Sequence, residues 1–106
     1  MATYGSDRLA ALADPSRRAI FEALRAGPRA VGELAADLPI SRPAVSQHLK
    51  VLKEAGLVTD RAVGTKRLYR LEPDGIAALR AYLDGMWSAA LESFAELAER
   101  TEEEQS

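Results

Sequence analysis

The chain has 106 residues, which suits a single domain and leaves little room for a second. Hydrophobic residues make up 47% and charged residues 28%, and the absence of cysteine excludes disulfides and thiolate metal sites. The net charge is −2, no apolar run approaches the length of a membrane span, and the first residues lack a signal-peptide pattern, so we expect a cytoplasmic protein.

The first part of the chain is predicted to be helical. A short helix begins near Ser6, and a second follows Asp14 and Pro15, where an acceptor side chain precedes a proline suited to the first helical position. Gly27 marks the end of the second helix. A third, short helix is predicted over residues 31 to 37.

The middle of the chain is predicted to form a helix followed by a hairpin. The helix covers residues 42 to 55, with Ser41 as its N-cap, and the short turn before it makes a helix-turn-helix with the third helix. Residues 57 to 71 then change to the alternation of strands, which indicates a β-hairpin with its tip at Gly64. We call this hairpin the wing.

The last helix is predicted over residues 73 to 98, because apolar residues recur there at steps of three and four. At 1.5 Å per residue it is roughly 39 Å long, too long to pack wholly against so small a domain. Residues 99 to 106 include three consecutive Glu and are predicted to be a flexible acidic tail.

Charge is segregated along the chain. Residues 1 to 40 are neutral, residues 41 to 71 carry seven Lys and Arg against two acids, and residues 72 to 106 carry nine acids against two Arg. The middle segment therefore has a charge of +5 and the last a charge of −7. Binding to a polyanion depends on the local face rather than on the sum, so the basic helix and wing indicate DNA binding.

The predicted helix over residues 42 to 55, the recognition helix, has two faces. Val45, Leu49 and Leu52 share one face and are expected to pack on the preceding helices. The opposite face is polar, and a glutamine such as Gln47 can pair with adenine in the major groove, while a basic wing can reach the backbone and the adjacent minor groove. The candidate DNA contacts are Ser41, Arg42, Pro43, Ser46, Gln47, Lys50, Arg61, Thr65, Lys66 and Arg67.

Together these elements predict a mainly α fold with a small β-hairpin, a winged helix-turn-helix in the order ααααββα. Residues 1 to 106 form one domain, with a DNA-binding core over residues 6 to 71. Because the body can cover only part of the last helix, we expect a homodimer through the first and last helices, with recognition helices about 34–36 Å apart. The candidate dimer-interface residues are Leu9, Leu12, Leu79, Leu83, Met86, Trp87, Ala90 and Phe94.

Several stretches resemble the ArsR/SmtB family of bacterial repressors. They are residues 12 to 18 (LADPSRR), residues 31 to 35 (VGELA) and residues 41 to 58 (SRPAVSQHLKVLKEAGLV), and the end of the wing matches as well. The resemblance covers about residues 8 to 98. It implies a homodimer that binds double-stranded DNA at an inverted-repeat operator and represses transcription, and in many members a metal or metalloid weakens that binding.

The sequence departs from the sensing part of that family pattern. Arsenic- and cadmium-type members carry cysteines on the helix that here covers residues 33 to 37, and none is present. Zinc-type members carry His and acids along the last helix, which here has Asp84 and Glu92 but no His; the only His is His48, in the recognition helix. We therefore expect no metal or other cofactor, and a closer resemblance to metal-independent members.

Other functions remain open beside that of a dimeric operator-binding repressor. A repressor of the same kind could be released by an unidentified small-molecule effector. A winged-helix protein–protein interaction module is a further alternative, although a protein partner would not require the +5 charge of residues 41 to 71. An enzyme is least favoured, because the sequence has no phosphate-cradling glycine loop, no cysteine nucleophile and no carboxylate pair in an apolar setting.

Overall fold

The computed structural model describes residues 4 to 105, which form five α-helices and one three-stranded sheet. The helices are α1 (Tyr4–Ala11), α2 (Pro15–Ala23), α3 (Val31–Asp37), α4 (Arg42–Glu54) and α5 (Pro73–Gln105). The strands are β1 (Arg29–Ala30), β2 (Val58–Val63) and β3 (Lys66–Leu71), antiparallel in the order β1-β3-β2. The predicted order of helices, wing and last helix is confirmed, with one strand more than predicted.

The turn between α1 and α2 is held by side chains that satisfy backbone groups at both helix ends. The Asp14 carboxylate accepts hydrogen bonds from the N–H groups of Ser16 and Arg17 at 2.8 and 3.0 Å, so it caps α2 as predicted. The Arg17 side chain in turn donates from Nε to the carbonyl oxygen of Ala11, at 2.7 Å. Carbonyls at a helix end have no partner within the helix, and this bond supplies one for α1.

Strand β1 is the element that the sequence pattern did not predict. Arg29 lies opposite Tyr69 and Ala30 opposite Leu68, so β1 pairs with β3 on the side away from β2. A strand of two residues is too short to show alternation, and its partner is distant in the sequence. The strand leads directly into α3, where the Glu33 carboxylate accepts a hydrogen bond from the Ala30 N–H at 2.9 Å.

The hydrophobic core lies between the helices and the base of the sheet, with α4 at its centre. The predicted inner face of α4 is confirmed, since Val45, Leu49 and Leu52 are fully buried. Leu79 of α5, a predicted dimer-interface residue, is only 8% exposed and packs in this same core, so it offers little surface to a partner. The buried apolar residues are Ala11, Ile20, Leu24, Leu34, Val45, Leu49, Leu52, Leu57, Val58 and Leu79.

The turn that follows α4 is in direct backbone contact with the start of α5. Gly56 follows α4 with a φ of 78°, a left-handed conformation that favours glycine. A Cβ atom on Gly75, in the first turn of α5, would lie 1.6 Å from the carbonyl oxygen of Gly56. The neighbouring Glu72 N–H donates to the carbonyl oxygen of Leu57 at 2.9 Å. The backbones approach this closely because Gly75 has no side chain.

Helix α5 continues well beyond the predicted end at residue 98. Residues 99 to 105, predicted as part of a flexible tail, are helical, and Ser106 lies outside the described residues. The reason is composition, since Glu and Arg are good helix formers even where nothing packs against them. Within residues 4 to 105, none of the helices has an apolar stretch long enough to cross a membrane.

Candidate nucleic-acid interface

The outer face of α4 is free of packing contacts and polar. Ser46, Gln47 and Lys50 are exposed, as is Pro43 near the helix start, whereas the face opposite is buried in the core. His48 lies between the two faces and is half-buried. The structure therefore places the predicted base-reading side chains together on one accessible ridge, whose width of one helix suits the major groove.

Two of the candidate DNA contacts at the start of α4 also make contacts within the protein. The Ser41 hydroxyl accepts a hydrogen bond from the Ala44 N–H at 3.3 Å and so caps the helix. The Arg42 guanidinium lies against α3, because a Cβ atom on Gly32 would be only 2.7 Å from its Nη2 atom. Both residues remain exposed, so the cap and the α3 contact leave them accessible from solvent.

The wing separates its basic residues onto two faces. In the register of β2 and β3, Arg61 lies opposite Leu68 and Lys66 opposite Val63, so both cations lie on the same face of the hairpin. Arg70 shares that face, although it is not among the DNA contacts predicted from sequence. Counting alternate residues from the hairpin tip would have found it. Arg67 lies on the opposite face and is therefore not equivalent to Arg61 and Lys66.

The tip of the wing is a two-residue turn at Gly64 and Thr65. Gly64 has a φ of 63°, which suits the first position of the tight turn that joins antiparallel strands. Both residues are exposed, and a Cβ atom on Gly64 would meet nothing within 4 Å. Thr65 therefore lies where the wing extends furthest from the core.

Asp60 connects the wing to the recognition helix. Its Oδ1 atom is 2.7 Å from Lys53 Nζ in the last turn of α4, and its Oδ2 atom is 2.8 Å from Arg67 Nη1 in β3. The Asp60 side chain is 5% exposed, while both cations are more than half exposed. A hydrogen bond from Lys53, which has the largest effect, and one from Arg67 hold the pKa of Asp60 below its ordinary value of 3.8. Burial has the opposite, smaller effect on this pKa.

This depressed pKa predicts how stability depends on pH. The ion pairs of Asp60 stabilise the fold at pH values above the unfolded-state pKa and cease to do so as the pH falls through the lower folded-state pKa. We expect Asp60→Asn to lower the melting temperature at neutral pH, and the difference from the parent protein to shrink below about pH 4. Thermal melts followed by circular dichroism at a series of pH values measure this difference. A difference that stayed constant down to about pH 2 would contradict the expectation.

The exposed part of α5 is apolar on one side. The face that carries the buried Leu79 continues outward beyond the body, and there its large side chains are exposed, reaching 67% for Trp87 and 70% for Phe94. Leu9 on α1 is also exposed, whereas Leu12, in the turn after α1, is half-buried against the core. The exposed large apolar residues of α5 are Leu83, Met86, Trp87, Leu91, Phe94 and Leu97. The shorter Ala90 is exposed on the same face.

The carboxylates and the histidine are not arranged as a metal site in the part of the chain that the structure describes. No group of three or more His, Asp or Glu side chains between residues 4 and 105 is close enough to hold an ion. Asp84 and Glu92, the two acids of α5 considered above, are both exposed.

Comparison with known proteins gives matches over this same region. The sequence model of a family described as a helix-turn-helix domain matches residues 12–61. The HTH-type transcriptional regulator Rv2034 of Mycobacterium tuberculosis is 63% identical over 99 residues, which span 92% of each chain. The HTH-type transcriptional repressor SmtB of the same species is 49% identical over 69 residues, 65% of this chain and 51% of that protein.

A solved structure agrees with the fold. It is the solution structure of the homodimeric winged helix-turn-helix DNA-binding domain Mb0332 from Mycobacterium bovis, described as a possible ArsR-family transcriptional regulator. The match has a TM-score of 0.66 and 31% sequence identity, and it covers 84% of this chain and 82% of that one.

Proposed function

Because the chain belongs to the ArsR/SmtB family of DNA-binding helix-turn-helix transcriptional regulators, we propose that it is a homodimeric repressor of an inverted-repeat operator. The observation that supports this most strongly is the combination of an exposed polar ridge on α4 with a basic wing beside it. A ridge of that kind reads base edges, while a basic hairpin beside it neutralises phosphates.

The proposed DNA surface has two parts with different tasks. Ser46, Gln47 and Lys50 would face the bases, because they occupy the outer ridge of α4. Arg61 and Lys66 would contact phosphates from one face of the wing, and Arg70 extends that face. The acidic end of the chain, residues 72 to 106, would lie on the side away from the DNA, where its charge costs little binding energy.

A second copy of the chain is the proposed cover for α5. The accessible surface of the chain is 7326 Å², whereas a compact monomer of 11.5 kDa exposes about 5,800 Å². The excess, about 1,500 Å², is comparable to what one subunit buries in a large dimer interface. Leu83, Trp87 and Phe94 would form the centre of this interface, with Leu9 of α1 at its edge. Mb0332, which has the same fold, is a homodimer.

We further propose that repression is independent of metal ions and that the protein acts in the cytoplasm, where the DNA is. The exposed acids of α5 have no nitrogen or sulfur ligands beside them, and such ligands are what transition-metal sensors use. A thermal-shift screen with zinc, nickel and arsenite would reveal binding as a raised melting temperature.

The proposed function is tested by selecting bound sequences from random double-stranded DNA. We expect a palindromic site whose half-sites are one helical turn apart, because a two-fold dimer presents two recognition helices in that relation. With four Lys or Arg of each subunit on phosphates, the log–log slope of affinity against salt should be roughly −7. Enrichment of no sequence, or a slope near zero, would contradict the proposal.

Two substitutions should separate base reading from phosphate binding. Gln47→Ala is expected to weaken operator binding by about 1–3 kcal/mol and to relax the preference at one base pair of each half-site. Lys66→Ala should weaken operator and unrelated DNA by similar factors and make the salt slope less steep. Fluorescence anisotropy with operator, point-substituted operator and unrelated duplexes measures both effects. Equal losses on all duplexes for Gln47→Ala would remove this residue from the base-reading set.

A further inference from the structure

Asp60 is an unusual residue for a surface that binds a polyanion. It is one of two acids in the basic segment over residues 41 to 71. It lies in β2, next to Arg61 of the proposed DNA surface. In the hairpin register Asp60 lies opposite Tyr69, so it shares the core-facing side of the sheet with the buried Val58. Its carboxylate is almost completely enclosed, whereas Glu54, the other acid of the segment, is exposed.

We propose that Lys53, Asp60 and Arg67, together the Asp60 clamp, are a positioning device that sets the wing at a fixed angle to the recognition helix and thereby determines sequence selectivity. Lys53 belongs to α4, Asp60 to β2 and Arg67 to β3, so the three side chains join both strands of the wing to the helix. This inference rests on the proposed function, because it assigns a role within the same DNA-binding surface.

The clamp has a physical reason to affect selectivity more than affinity. In a specific complex the recognition helix must lie in the major groove while the wing contacts the phosphates beside it. The helix and the wing must therefore keep one orientation relative to each other. A wing that is already fixed loses little conformational freedom on binding, whereas a free wing loses much more. Non-specific binding is mainly electrostatic and tolerates many orientations, so it gains little from a fixed wing.

Charge alone predicts a different result for the same residue. If Asp60 acted only as a negative charge near DNA, its removal would release Lys53 and Arg67 and strengthen binding to every sequence. If it holds the wing, its removal strengthens or leaves unchanged the binding to unrelated DNA but weakens binding to the operator. The ratio of the two affinities therefore separates positioning from charge.

The test compares Asp60→Asn with Glu54→Gln as its matched control. Both substitutions remove one negative charge from the same segment and nearly preserve side-chain volume, but Glu54 takes no part in the clamp. We expect Asp60→Asn to lower the ratio of operator to unrelated-DNA affinity about tenfold. This is the lower part of the range by which one good base contact discriminates between base pairs. We expect Glu54→Gln to leave that ratio unchanged. An unchanged ratio in Asp60→Asn, or an equal fall in both variants, overturns the clamp.

A second variant breaks the clamp from its other end. Arg67→Gln changes the charge in the opposite direction, yet it should also lower the selectivity ratio, and adding Asp60→Asn to it should lower the ratio little further. Fully additive losses would overturn the clamp. If Asp60→Asn does not fold, as judged by circular dichroism, Arg67→Gln alone decides the question. If the parent protein prefers no DNA sequence, the proposed function is overturned. If the parent is selective and the variants keep the same ratio of operator to unrelated-DNA affinity, only the clamp is overturned.

Discussion

Replacing Gly75 with alanine is expected to lower the melting temperature by about 10 °C or more. The new Cβ atom would lie 1.6 Å from the carbonyl oxygen of Gly56, and a backbone atom cannot rotate away as a side chain can. Overpacking of this kind costs about 3 kcal/mol or more, whereas the better helix propensity of alanine returns at most about 1 kcal/mol. The clash therefore dominates, and the start of α5 must move away from the end of α4.

Gly85→Ala is the matched control for this substitution. Gly85 is in the same helix, but a Cβ atom there would meet nothing within 4 Å. We expect it to raise the stability by about 0.5–1 kcal/mol, the usual gain for alanine in a helix. Melts of both variants, followed at the same protein concentration, give the comparison. A Gly75→Ala protein as stable as the Gly85→Ala protein would show that the two backbones are not in contact.

Replacing Trp87 with glutamate is expected to convert the proposed dimer into a monomer and to weaken operator binding at least about 100-fold. Trp87 is 67% exposed at the centre of the apolar side of α5, where a partner helix would bury it. A carboxylate there would lose its hydration on association without gaining a partner. Operator affinity falls when dimerisation is lost, because two linked half-site contacts bind more tightly than one by a factor of about 10²–10⁴.

Ala81→Glu controls for the added charge. Ala81 is exposed on the side of α5 opposite to the apolar face, and like Trp87 it lies three residues from Asp84, so both new carboxylates meet the same neighbouring acid. Analytical ultracentrifugation should find the Ala81→Glu protein dimeric and the Trp87→Glu protein monomeric at micromolar concentration. If Trp87→Glu remained dimeric, the apolar side of α5 would not be the interface.

The elements near the proposed DNA surface were the most predictable from sequence, because local rules determine them. The cap at Ser41, the buried set Val45, Leu49 and Leu52, and the tip at Gly64 follow from cap chemistry, helical period and turn geometry. All of these rules act within a few residues, so neither the rest of the fold nor a partner chain is needed to apply them.

Features that depend on distant residues were not predictable in the same way. Strand β1 forms because β3 offers it a partner, and Leu79 is buried because the body covers the first turns of α5, so counting apolar steps did not distinguish it from Leu83. The grouping of Asp60 with Lys53 and Arg67 requires the register of two strands and the end of a helix together. The exposure of each side chain in the folded chain then shows which apolar residues of α5 remain available to a partner.

The backbone contact between Gly56 and Gly75 also bears on how such a dimer would discriminate operators by length. Because the turn that ends α4 touches the first turn of α5 at Gly75, a dimer joined through α5 would hold its two reading helices at one separation. Half-sites placed one base pair too near or too far would have to be matched by twisting or bending the DNA, at an elastic cost that varies with the sequence between them. The base pairs that the protein never touches would then contribute to recognition through their stiffness.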